Sequence, residues 1–173
     1  SFARLFPWLR SAGFTARYQL IGYPLPPRQQ WGFWAVHVED IRFDSAPARI
    51  YTDLRSAIGS RDHFVATSNV DGLFGRNGFD RTRVFTPQGD YALYQCRTPC
   101  TRRVWDAQPL LTRARATLDV ATGMIAADCV PRCPNCGGDV YLNVNAGSFY
   151  VADHFWPIGE ALNDWLAETH SLA

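Results

Sequence analysis

Apolar residues recur at helical spacing in three stretches of the chain. Phe2, Leu5, Phe6 and Leu9 predict a short amphipathic helix over 2–12 that ends near Gly13, even with Pro7 inside it. The stretch 47–59 is the clearest helix: Pro47 suits the first turn, Ile50, Leu54, Ala57 and Ile58 share one stripe, and Gly59 falls at the C-cap. Over 157–167, Ile158, Leu162, Trp165 and Leu166 mark a closing amphipathic helix. Strand signals lie between these. HFVAT at 63–67 reads as a buried parallel strand, 82–85 as a second short strand, and YALYQ at 91–95 leads into a cysteine pair. VYLNV at 140–144 alternates, with Asn143 and Asn145 on the phase that faces a cleft or solvent. WGFWAVHV at 31–38 suits either a strand or a short buried helix, with Trp31, Phe33 and Trp34 read as core. The Pro- and Gly-rich text at 18–30 predicts an extended surface segment, and 101–128 holds either one helical turn or a hairpin.

A helix followed by a parallel strand is half of a βαβ unit, so the fold class is α/β with a partial Rossmann-like parallel sheet. Ser68, Asn69, Val70, Asp71 and Gly72 follow the strand at 63–67, at the end of a parallel sheet where ligands bind. Residue type alone leaves two readings of Asn69 and Asp71 open, turn formation and ligand binding. Gly72, Gly75 and Gly78 are not a dinucleotide fingerprint, because GLFGRNG does not join a strand to a helix in the required register. His37 and Glu39 carry no assigned role, and His154 and His170 read as surface or packing residues.

Five cysteines change the picture. Cys96 and Cys100 form a CxxxC, Cys133 and Cys136 a CxxC, and 32 residues separate the pairs. That spacing brings two knuckles onto one tetrahedral ion, and four thiolates leave no open position, so the site reads as structural zinc. Cys129 is read as a small buried or lobe-surface residue outside the ligand set. The expected organisation is a first α/β part over 1–95, a zinc lobe over 96–139, and a return strand and helix over 140–173. At 173 residues and 47% hydrophobic, the chain can bury a core of its own. Seventeen Lys and Arg against sixteen Asp and Glu give +1, without the basic face that nucleic acid requires. No apolar run is long enough for a membrane span and no signal pattern opens the chain, so a cytoplasmic protein is expected. The chain starts in the middle of a helix signal, as the remainder of something longer would.

TSNVDGLFGRNGF at 67–79, QGDYALYQC at 88–96 and PRCPNCGGDV at 131–140 resemble, in this order, the middle of a sirtuin, an NAD-dependent protein deacylase. The resemblance is best over about 51–144. It implies that Thr67, Ser68, Asn69 and Asp71 belong to the NAD site, with Asn69 and Asp71 at the nicotinamide end and adjoining ribose. It implies that Cys96, Cys100, Cys133 and Cys136 bind zinc, and that Val140, Leu142, Asn143 and Asn145 border a groove for an acyl-lysine peptide.

Two departures qualify the implied activity. Gln88 stands where the family has its catalytic histidine; Gly89 is retained, and Phe74 replaces another common histidine. An amide can orient a ribose hydroxyl but has no basic pKa near neutrality, and loss of a general base costs about 10²–10⁴ in rate. A GAGxS phosphate loop before residue 20 and a late GTS or SN segment are also lacking, so a further segment or chain is expected to complete the NAD site. The expected function is thus a sirtuin-like deacylase, NAD hydrolase or ADP-ribosyltransferase using Asn69, Asp71 and Gln88. The alternative is a catalytically inactive zinc-stabilised interaction module. A nucleic-acid-binding zinc ribbon fits least, given the balanced charge.

Overall fold

The computed structural model describes residues 1–170, with side chains through residue 168; the His170 side chain lies outside the described residues. The fold is α/β, with a short parallel strand pair, an antiparallel three-stranded sheet and helices around both. Pro7 splits the expected first helix, because proline cannot donate the backbone bond that a continuous helix needs. It opens α2 (Pro7–Ser11), after α1 (Phe2–Leu5). The 18–30 stretch is not extended throughout: residues Arg17–Leu20 form a 3-10 turn, and α3 (Pro27–Val38) starts at a proline suited to a first helical turn.

Helix α3 settles the open reading of 31–38. Every residue from Trp31 to Val38 is buried, so the stretch lacks the alternation of a half-exposed strand and packs on all sides. Phe33 meets Phe6 of the N-terminal pair at 5.2 Å between ring centroids and Trp34 at 5.1 Å. Gly32 lets α3 approach the loop at Gly123, where a Cβ would lie 2.1 Å from the Gly123 carbonyl oxygen. After Val38 the chain runs through a wider π-type turn over Glu39–Phe43, then α4 (Arg49–Ile58).

The parallel pairing expected after α4 is present but small. Strands β1 (Val65–Ala66) and β2 (Val84–Phe85) pair in parallel, Val65 with Val84 and Ala66 with Phe85. Contrary to expectation β1 is not buried, and Ile50 on the stripe of α4 is 72% exposed. Burial depends on a partner, and among the described residues β1 pairs only with β2. Between the strands lies α5 (Leu73–Arg76).

The larger sheet has the order β4-β3-β5, built from β3 (Gly89–Cys96), β4 (Trp105–Asp106) and β5 (Val140–Val144), all antiparallel. Helix α6 (Gln108–Ala116) resolves the 101–128 region as a helix with more than one turn, and its Leu110, Leu111 and Ala114 pack on α3. One buried cluster therefore runs from Phe6 and Leu9 through α3 and α6 to Tyr94, Cys133 and Leu142. Cys129 is buried in this cluster, the first of its two readings. Helix α7 (Trp156–His170) packs on β2, and its Trp165 indole donates to Asp62 at 2.5 Å.

Asn143 departs from the expectation that it faces a cleft or solvent. It is fully buried, as is Gln95 on β3. Asn143 donates to the Gln95 side-chain oxygen at 2.8 Å and to the Val151 carbonyl at 2.9 Å. Gln95 in turn donates to the Phe149 carbonyl at 2.6 Å and accepts from the Val151 N–H at 3.0 Å. A β-bulge between Gly89 and Tyr94 shifts the register with β5, which breaks the simple alternation of faces along the pair. Gln95→Leu would remove one of the two partners of the Asn143 amide nitrogen and leave the Phe149 carbonyl and the Val151 N–H without theirs. Its expected cost is about 2–4 kcal/mol, read as a lower urea midpoint.

Candidate active site and metal centre

The loop from Thr67 to Gly72 is held by its own side chains and by β3. The Asn69 N–H donates to the Thr67 hydroxyl at 3.1 Å, and the Leu73 N–H to the Asp71 carboxylate at 3.0 Å. The latter bond caps the first turn of α5, so part of the turn-forming reading of Asp71 holds. The Tyr91 N–H donates to the Val70 carbonyl at 3.0 Å and ties the loop to β3. Beside it, Asp90 takes a two-pronged pair from Arg42, Nε to Oδ1 at 2.7 Å and Nη2 to Oδ2 at 3.0 Å. Arg76 donates to the carbonyls of Arg42 and Phe43 and fixes the π-type turn against α5.

Ser68, Asn69, Val70 and Asp71 line a cleft of about 680 Å³. The same cleft is lined by residues to which the sequence assigned no role: Arg17 and Tyr18 of the 3-10 turn, His37 at the end of α3, and Asp40 and Ile41 of the π-type turn. Tyr91 of β3 also lines it. Arg17 is ion-paired with Asp40. Sequence reasoning missed these residues because nothing in their spacing links positions 17, 37 and 91; a histidine in an otherwise apolar helix was the one visible signal. His37 is 5% exposed, stacks on Phe33 at 5.2 Å and meets Tyr91 edge-on at 5.6 Å. Burial and the Arg17 charge, opposed by Asp40, push its pKa down to about 4. At neutral pH the ring is an uncharged donor and acceptor.

The other residues singled out in the sequence occupy different surroundings. Thr67 lies beneath the loop as a hydrogen-bond acceptor, and the exposed Gln88 precedes β3 outside the lining of this cleft. The Gln88 carbonyl accepts from the Asn145 N–H at 2.9 Å, so Gln88 and the exposed Asn145 stand side by side. At Gly89, with φ +104°, a Cβ would lie 2.1 Å from the Asn143 carbonyl oxygen, which explains why glycine follows Gln88. Val140, Leu142 and Asn143 point into the interior, leaving backbone as the means by which β5 can meet a substrate there.

At the other end of β3 the four expected cysteines converge. Their sulfurs all lie within 4.8 Å of one another, with Cys96 to Cys136 at 3.7 Å and Cys100 to Cys133 at 3.6 Å. A tetrahedron with metal–sulfur bonds of about 2.3 Å has edges of about 3.8 Å, so this donor set fits one metal ion. The Asn135 amide donates to the Cys100 sulfur at 3.2 Å, and the Cys133 N–H to the Gly138 carbonyl at 2.7 Å, closing the second knuckle.

A short parallel pair, a polar loop at its end and a four-cysteine centre on an adjoining sheet define an α/β protein with a metal-binding lobe. The fold is that of the sirtuins. A Sir2 homologue mutant in complex with ADP-ribose superposes with a TM-score of 0.52 at 16% identity, over 87% of this chain and 53% of the other. A Sir2 homologue in complex with NAD gives 0.52 at 17% identity, over 82% of this chain and 47% of the other. Among curated proteins, the chain is 32% identical over 155 residues to a probable bifunctional ADP-ribose hydrolase/ADP-ribosyltransferase of Fusarium oxysporum f. sp. cubense, covering 86% of this chain and 26% of that protein. It is 26% identical over 117 residues to a protein ADP-ribosyltransferase of Staphylococcus aureus (strain Mu50 / ATCC 700699), covering 67% of this chain and 36% of that protein. The chain thus spans about half the length of the solved structures and about a quarter to a third of these relatives. No protein-family model matches the chain. No helix among the described residues is long and apolar enough to cross a membrane.

Two outcomes are expected from this geometry. Cys133→Ser removes a buried ligand; metal content by mass spectrometry should fall from one ion per chain towards none, with loss of protection in the 96–139 region. The second concerns pH. His37 is held neutral in the fold, so the unfolded chain binds its proton more readily. The resulting stability is complete above about pH 6.5 and is lost as pH falls towards 4. Urea unfolding at pH 7 and pH 5 should show a larger loss for the natural chain than for His37→Phe.

Proposed function

We propose that this chain carries part of the catalytic core of an NAD-dependent ADP-ribosyltransferase acting on a protein acceptor. The observation that carries the reading is the cleft lined together by Ser68, Asn69, Asp71, His37 and Tyr91, taken with the presence of Gln88 where sirtuins have their base. The names of the two curated relatives support transfer over deacylation.

When bound, NAD supplies an activated ADP-ribosyl group with neutral nicotinamide as leaving group. The side chain of Asn69 offers an amide donor and acceptor to the ribose and nicotinamide end, and Asp71 a fixed negative charge. Gln88 lies outside the cleft lining, beside Asn145, where its amide can hydrogen-bond a hydroxyl of an arriving substrate but cannot remove its proton. Cleavage that relies on positioning and charge survives such a replacement, whereas deacylation, which needs the hydroxyl deprotonated, suffers the full loss of the base. The acceptor is a protein segment in extended form: β5 is an edge strand of its sheet, and Asn145 at its end lies beside Gln88. The metal is zinc in a structural role, since four sulfur ligands leave it no site for substrate. Segments beyond those described complete the diphosphate and adenine contacts.

Binding of NAD to the full natural protein, measured together with nicotinamide release, tests the reading. Saturable binding and release are expected. Asn69→Ala should lower turnover by about 10²-fold or more while leaving the unfolding midpoint nearly unchanged, because Asn69 is exposed and its amide side chain supports no other element. Absence of saturable NAD binding would refute the reading and leave a zinc-stabilised interaction module in its place.

A further inference from the structure

We propose that His37 recognises the nicotinamide end of NAD through a hydrogen bond within the cleft whose lining it shares with Asn69 and Asp71. The assignment rests on the NAD reading above and adds a residue to which the sequence gave no role. Three observations converge on it. His37 lines the cleft and is 5% exposed, and its Nδ1 is buried with no hydrogen-bond partner among the described residues. Most buried polar nitrogens are paired, so an unpartnered one beside a cleft leaves a bond for water or a ligand to make. Phe33, Trp34 and Tyr91 pack around the ring within 5.7 Å between centroids, so its orientation is set before any ligand binds.

The charge of the cleft selects which end of the dinucleotide it takes. Arg17 is its one cationic lining residue and is paired with Asp40, while Asp71 adds a second carboxylate. A cleft lining with an excess of negative charge disfavours a diphosphate and favours the cationic pyridinium ring. A neutral imidazole presents one donor and one acceptor, the complement of a carboxamide, which offers both. Burial, reinforced by Arg17, keeps the imidazole neutral at physiological pH, so it neither repels the pyridinium nor acts as an acid. The role is recognition, and the cleavage step is left to the groups of the 68–71 loop.

Titration calorimetry with NAD and with ADP-ribose, which lacks nicotinamide, separates this assignment from the reading it rests on. In the full natural protein His37→Phe keeps the ring's bulk and stacking and removes its nitrogens. NAD affinity should fall by about 10- to 100-fold with ADP-ribose affinity unchanged. His37→Asn, whose amide falls near the position of Nδ1, should recover most of the loss. Unchanged NAD affinity in His37→Phe, or an equal loss for both ligands, would overturn the assignment while leaving NAD binding established. Failure of the natural protein to bind NAD would overturn both. Should His37→Phe not fold, the imidazole ¹⁵N resonances of His37 in the natural protein decide the matter. Displacement by NAD and not by ADP-ribose is the expected result, and no displacement by NAD overturns the assignment.

Discussion

The buried Gln95 amide joins three stretches of chain that would otherwise be independent. Through its oxygen it receives Asn143 of β5 and the backbone at Val151, and through its nitrogen it holds Phe149. Inside a protein such groups favour pairing; both ends of the Gln95 amide are engaged, while the Asn143 side-chain oxygen is buried without a partner among the described residues. The Gln95 bonds tie the β3–β5 pairing to the path of the chain beyond β5. From that fixed sheet, β3 reaches in two directions: its last residue, Cys96, enters the metal centre, and its first half supports the cleft loop through Tyr91 and Val70.

This arrangement separates structural from chemical roles along one strand. The cysteine centre gathers the lobe without offering an open position, whereas the cleft gathers polar and aromatic groups around space. Arg42 and Asp90 bind the π-type turn to β3 between the two, and Arg76 locks that turn to the helix after the loop. The cleft walls are thus supported by charge-assisted bonds that lie largely out of water, where such bonds are strong and directional. A rigid support of this kind suits a site that works by positioning.

Much was legible in the sequence where a local rule had a single physical solution. The two cysteine pairs converge because their spacing allows one tetrahedral centre and little else, and they do so within 4.8 Å. Helix α4 and strand β5 form where their patterns predict them, although neither is buried as the pattern implies: the α4 stripe has no buried residue and Asn143 breaks the alternation of β5. Pro7 was underestimated, since hydrophobic spacing continues across it while the backbone bond cannot. Residues 31–38 stayed ambiguous because a segment buried on every side has no periodicity to read. Asn143 was read outward for the same kind of reason: a β-bulge turns the register, and no pattern in VYLNV announces it.

The sequence by itself determined which four cysteines gather and where the polar loop at Ser68–Asp71 falls, because each depends on residue type and spacing. The tertiary structure alone decided which residues share a cleft with that loop. Arg17, His37, Asp40 and Tyr91 are scattered over more than seventy positions and meet only because α3, the π-type turn and β3 pack around one cleft. Such a meeting is set by packing and by buried hydrogen bonds between distant segments, which leave no period or motif along the chain.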